Sequence, residues 1–165
     1  MLTNWITNSK MKNLLEHIST HSSSEEVSLN VQQLKNLFSP SFKKVKDCII
    51  ITENNIDDLE VAFDNMIKIY GDKTGYEASN TETRINCYIE NEISVVTGIQ
   101  IALVVIEMWG LKLKRIEPDS QFCFIICSDE EHVEIRFHKV RNNEIRWLSD
   151  DLESYSDEAV GYVVI

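Results

Sequence analysis

At 165 residues, with 43% hydrophobic and 26% charged side chains, the chain has the size and composition of one globular domain and is too apolar to be disordered. Its net charge of -11 excludes nucleic acid or an anionic membrane as the main partner, since both call for positive surface. The same charge suits a partner that is itself basic.

The start, MLTNWITNSKMKNLL, lacks a charged region followed by an apolar core and a cleavage site. No signal peptide is therefore expected, and the protein is read as cytoplasmic. Asn8 to His21 reads as a short amphipathic helix with Met11, Leu14, Leu15 and Ile18 on one side. Ser19 to Ser24 reads as a loop, and one of its serines or Ser28 caps the next helix. That helix carries Val27, Val31, Leu34, Leu37 and Phe38 and stops at Ser39 and Pro40. Phe42 to Glu53 is open between a strand and a buried turn of helix at Cys48-Ile49-Ile50-Ile51. A helix starting at Asp57 or Asp58 runs through Leu59, Phe63, Met66, Ile67 and Tyr70 to Gly71.

The interval 71–81 (GDKTGYEASNT) is polar, holds two glycines and has no apolar period, so it is expected to be a surface loop. Thr83 to Glu90 alternates and reads as a strand or as the approach to a central helix. The stretch ISVVTGIQIALVVIEMW is apolar on every side over Ile101 to Ile106, which calls for cover by protein on most faces. It is expected to form that central buried helix over about 92–109, stopped by Gly110, with a buried strand as the alternative. The run of six apolar residues between Gln100 and Glu107 is too short to span a bilayer.

Gln121 to Cys127 reads as a buried strand, Ser128 to Glu131 as an acidic turn, and His132 to Val140 as its partner. Val133, Ile135 and Phe137 take one face of that partner, and Glu134, Arg136 and His138 the other. Asn142-Asn143 marks a turn, Ile145 to Leu148 a third short strand, and Val160 to Ile165 a closing strand. The whole is expected to be one α+β domain over 1–165. Its helical amino-terminal half, about 8–71, packs on a small antiparallel sheet formed mainly by the carboxy-terminal half, 82–165.

Several constellations bear on chemistry. His17 and His21 have the spacing of two metal ligands on a helix, but no third ligand accompanies them, and no metal or cofactor is expected. Cys48, Cys87, Cys123 and Cys127 are dispersed among apolar residues and read as buried free thiols of a reducing compartment. Arg136, His138, Lys139 and Arg141 form a basic streak whose expected role is pairing with carboxylates. No nucleophile elbow, phosphate loop or dinucleotide fingerprint appears, and no catalytic residue is assigned. Two acidic clusters stand out: Asp129, Glu130 and Glu131 in the hairpin turn, and Asp150, Asp151, Glu153, Asp157 and Glu158 near the end, with Trp147 and Tyr155 beside them. Each reads either as a solvated loop or as a docking surface, with carboxylates steering a basic partner and aromatics anchoring it. From Thr81 on there are sixteen acidic and eight basic residues, so the negative excess lies towards the sheet end.

The segment VEIRFHKVRNNEIRWLSDDLESYSDEAVGYVVI resembles immunity proteins of bacterial contact-dependent growth inhibition, a polymorphic toxin system. The likeness lies in the strand VEIRFHKVR, the RWL segment, the acidic LSDDLESY and the closing apolar strand, about the last fifth of the chain. It implies a small cytoplasmic protein that neutralises a cognate toxin domain by binding it and blocking its active site. Where that toxin is a nuclease its cleft is basic, and an acidic inhibitor is the complement. The expectation is therefore a toxin inhibitor without catalysis, touching no nucleic acid or membrane directly. The alternatives are an adaptor or structural interaction domain, and a small enzyme.

Overall fold

The computed structural model describes residues 4–21 and 24–165. A two-residue strand β1 (Ile6–Thr7) leads into α1 (Ser9–Thr20) and α2 (Val31–Phe38). A hairpin comes next, β2 (Phe42–Val45) and β3 (Cys48–Ile51), then α3 (Ile56–Tyr70) and α4 (Lys73–Asn80). β4 (Thr83–Arg84), the long α5 (Val95–Ile116), β5 (Phe122–Ser128), β6 (Val133–Lys139) and β7 (Ala159–Val164) complete the chain. The helices begin on Asn8, Asn30, Asn55, Asp72 and Ser94, each of which accepts a first-turn N–H with its side chain. Asn30 does so in a capping box with Gln33. The serines at 22–23, part of the expected loop and cap, and residues 1–3 of the expected leaderless start lie outside the described residues.

The main sheet is antiparallel with strand order β1-β7-β5-β6-β4. Phe124 lies opposite Phe137 and Ile126 opposite Ile135, so the alternation of β6 puts Val133, Ile135 and Phe137 on the α5 side. There Ala102, Val105, Ile106, Trp109 and Leu113 of α5 complete the core, and Trp109 donates its indole N–H to the Leu37 carbonyl at 2.9 Å. The opposite face presents Cys123, Ile125, Val160 and Tyr162. Leu148 and Leu152 cover it from the long loop between β6 and β7. A third apolar cluster, with Val45, Cys48, Ile50, Phe63 and Tyr76, joins the β2–β3 hairpin to α3 and α4.

The α+β class, the antiparallel sheet of mostly carboxy-terminal strands and the central helix match the expectations. Several local readings are corrected. The interval 71–81 is no surface loop: Gly71 ends α3 at φ 90°, and α4 then buries Thr74, Gly75, Tyr76, Glu77 and Ala78. Its buried polar groups find partners far along the chain, and such pairing leaves no apolar period to read. Residues 42–53 form the β2–β3 hairpin, so the amino-terminal half is not purely helical. The second helix starts only at Val31, whose side chain is exposed, and leaves Val27 outside. Ile145 to Leu148 forms no strand, because Leu148 is spent on covering the sheet. Cys87 is exposed in a one-turn 3-10 segment, unlike Cys48 and Cys123.

The central helix also runs past Gly110 to Ile116. Gly110 sits inside it, beside Ile165 and Phe124, and does not end the helix. At 22 residues α5 is long and apolar enough to cross a membrane. Here its buried side, Thr97 through Leu113, is packed on the sheet as a core helix.

The β6 edge beyond the two-residue β4 is closed by side chains. Val133 N–H donates to Asn86 Oδ1 at 3.0 Å, Phe137 N–H to Thr81 Oγ1 at 3.0 Å and Lys139 N–H to Glu77 Oε2 at 2.8 Å. Thr83 pairs with Ile135 between them. Four successive outward positions of β6 are thus satisfied, three of them by side chains in place of a strand.

Candidate functional site

The β5–β6 turn projects from one end of the sheet, and the chain there is built to hold carboxylates outward. Asp129 is the organiser: its Oδ1 accepts the N–H groups of Glu131 at 2.8 Å and His132 at 2.6 Å, which hold its carboxyl below the usual range. Glu130 and Glu131 are left exposed. Asn86 steadies the second by donating to its carbonyl at 3.2 Å.

Two grooves open beside this turn. One, of about 620 Å³, is lined by Glu90, Glu92, Glu130, Glu131 and His132, next to the Ser94 cap of α5. The other, of about 470 Å³, is lined by Asp129, Glu130 and Asp157 together with Lys10, Leu14 and Val95. Glu130 and Val95 belong to both, so the two make one acidic end of the molecule. Asp157 reaches it because Ala159 pairs with Ser128, which brings the end of the last acidic block alongside the turn. Glu158 is next in line, and its carbonyl accepts from the Asn8 side chain at 2.8 Å.

The remaining predicted residues are placed elsewhere and largely occupied. Asp151 caps the short turn Leu152–Ser154, and Glu153 Oε1 accepts both the N–H and the hydroxyl of Ser9 at 2.7 Å, tying the loop to α1. Tyr155 accepts the Ser149 N–H at 3.1 Å, and Asp150 meets Arg146 at 3.3 Å. Trp147, 41% exposed, lies 5.8 Å from the Arg136 guanidinium on the loop-covered face. The sequence reading missed Glu90 and Glu92. Their signal was available in YIENEIS, two carboxylates just ahead of the central helix.

Of the basic streak, Arg136, Lys139 and Arg141 are consumed by pairing with carboxylates, whereas the ring of His138 lies against the Lys139 carbonyl at 3.1 Å. Arg136 meets Glu82 at 3.0 Å and Glu134 at 3.3 Å. Lys139 donates to Glu117 at 2.6 Å and Asp47 at 3.1 Å, and Arg141 is held by Glu77 and Asp47. Glu77 is fully buried on α4 and also accepts the Ile49 and Lys139 N–H groups at 2.8 Å. Burial pushes its carboxyl up, and the guanidinium and the two amides oppose that. Lys44 and Lys73 complete the clasp on Glu117 and Asp47. Opposite charges compensate throughout, so this cluster fastens the β2–β3 hairpin, α4 and β6 together.

A third cavity, of about 390 Å³ on the second sheet face, brings Cys123 and His138 together as cross-strand neighbours, with Arg146 and Tyr162 nearby. Burial pushes the Cys123 thiol up to about 12 and the His138 imidazole down. Both are neutral at ordinary pH, which is the opposite of an activated nucleophile. His17 and His21 stack at 4.4 Å on the exposed side of α1. Among the described residues no three His, Cys, Asp or Glu side chains gather into a metal-holding group.

The profile of one protein family fits the chain almost end to end, over residues 6–164. The chain belongs to the Uncharacterized protein PM0498 family. The match runs from β1 through β7 and so takes in both the acidic end and the buried clasp. No curated protein and no solved structure matches the chain.

Proposed function

We propose that this protein is a non-catalytic inhibitor whose acidic end docks on a basic protein, and that the partner is a toxin domain with a positive cleft. The observation that carries the reading is the groove where Glu90, Glu92, Glu130 and Glu131 converge with no lysine or arginine among its lining residues. The main internal basic groups are already neutralised by partners. A negative concavity on a rigid sheet end attracts a positive chain at long range and speeds its capture. The resemblance to immunity proteins supplies the kind of partner: a nuclease whose cleft is shaped for phosphate. The protein would act in the cytoplasm, where such a toxin arrives.

The test is capture from the native host with immobilised wild-type protein and with a Glu90→Lys, Glu92→Lys, Glu130→Lys, Glu131→Lys variant. A basic polypeptide held by the wild type, lost by the variant, toxic alone and harmless when co-expressed is the expected result. A partner held equally by both proteins overturns the docking site. A captured partner that harms no cell leaves the adaptor reading in place of the inhibitor.

A further inference from the structure

On the outer side of α5, Val104, Met108, Leu111 and Arg115 follow one another at spacings of four, three and four, which is one continuous stripe of a helix. Val104 is 47% exposed, Met108 46% and Leu111 59%. A groove of about 430 Å³ runs along the same helix, lined by Trp5, Leu103, Ile106, Val163 and Ile165. This apolar face is left uncovered on a helix whose other side forms the core.

The charges on the stripe say what covers it. Glu107 and Arg115 are both exposed, and neither has an ion pair or hydrogen bond among the described residues. They stand four residues before and four residues after Leu111. We infer that a second copy of this chain packs on α5 in antiparallel, two-fold fashion with Leu111 on the axis. That geometry sets Leu111 against its own equivalent and Glu107 of each copy against Arg115 of the other.

The antiparallel sense also resolves the repulsion between two chains of charge -11. The acidic grooves flank Ser94 at the start of α5, seventeen residues from the axis, about 25 Å at 1.5 Å per residue. The two grooves then lie about 50 Å apart, several screening lengths at physiological salt, and both stay open. A parallel pairing would bring them side by side.

Sedimentation equilibrium of the full chain across about 1–500 µM tests this. A dimer is expected, with Leu111→Glu weakening it at least about tenfold while the circular dichroism stays native. Glu107→Arg alone weakens it, and Glu107→Arg combined with Arg115→Glu restores it. Met108→Lys is the second disrupting variant should Leu111→Glu lose its fold. A wild type that is monomeric throughout, a dimer indifferent to both apolar variants, or a double charge swap that recovers nothing overturns the inference. A monomer whose α5 face is taken by a different protein overturns it equally.

Discussion

Arg141 closes on Glu77 through two bonds, Nη1 to Oε2 at 2.8 Å and Nη2 to Oε1 at 3.1 Å, across 64 residues of chain. The carboxylate is fully buried, and two backbone amides end on it as well. Glu77→Ala would take both of these bonds from the guanidinium, leaving it to Asp47 and Glu144, and would strip two amides of their acceptor. The expected loss is about 3–5 kcal/mol, read as a shift in the urea midpoint with little change in slope. A paired change to Glu77→Leu and Arg141→Met is not expected to be neutral, because Ile49 and Lys139 N–H stay orphaned.

The same clasp sets the acid stability. Burial pushes the Glu117 carboxyl up, but the bonds from Lys139, Lys44 and Ser120 outweigh that and hold it at about 2, below its ordinary 4.5. Asp47 is shifted down in the same sense, through Lys73 and Lys139 against its own burial. A carboxyl depressed in the folded state contributes stability above its unfolded value and loses it as pH falls through the folded one. Stability should therefore fall from about pH 4.5 towards pH 2. In denaturant titrations at pH 6 and pH 3, Glu117→Gln should narrow the difference between the two; an unchanged difference would clear Glu117 of the role.

Two glycines of one helix are expected to respond in opposite directions. A Cβ on Gly98 would meet Val133 Cγ2 at 2.8 Å, a stiff branched side chain locked in the core. On Gly110 it would make ordinary contacts, with Ile165 Cδ1 at 3.4 Å and Cγ2 at 3.6 Å and with Phe124 at 3.9 Å. Gly110→Ala should stabilise by about 0.5–1 kcal/mol through helix propensity. Gly98→Ala should destabilise by about 1–2 kcal/mol, since crowding exceeds that gain. Thermal melts of the two variants decide.

The thiols offer a check by mass. Cys87 is exposed, while burial pushes Cys48, Cys123 and Cys127 up to about 12. Brief treatment of native protein with a maleimide at pH 7 should add one label, on Cys87. Rapid double labelling at Cys123 would mean that the second sheet face opens readily.

Much of this fold was legible where pattern and burial coincide. The alternation of Val133, Ile135 and Phe137 announced β6, and the apolar run before Trp109 announced the core helix. Residues 71–81 were not legible, because α4 is buried by polar partners: Thr74 bonds to Glu144, and Glu77 to Arg141. Hydrophobic periodicity carries no trace of a partner seventy residues away. Of the candidate site, Asp129, Glu130, Glu131 and Asp157 were visible as charge, and the pairing of Ser128 with Ala159 joins them. Asp151, Glu153 and Tyr155 looked equally free, yet the fold spends them on capping and tying its own loop. Composition counts charges without saying which are already engaged.

The side chains of Asn86, Thr81 and Glu77 that close β6 have an effect outside the domain. A flank whose outward amides are taken gives an extended segment of another polypeptide nothing to zip onto. Recognition at that rim must proceed through side chains and shape, and fibril-like stacking through it is blocked at the first rung.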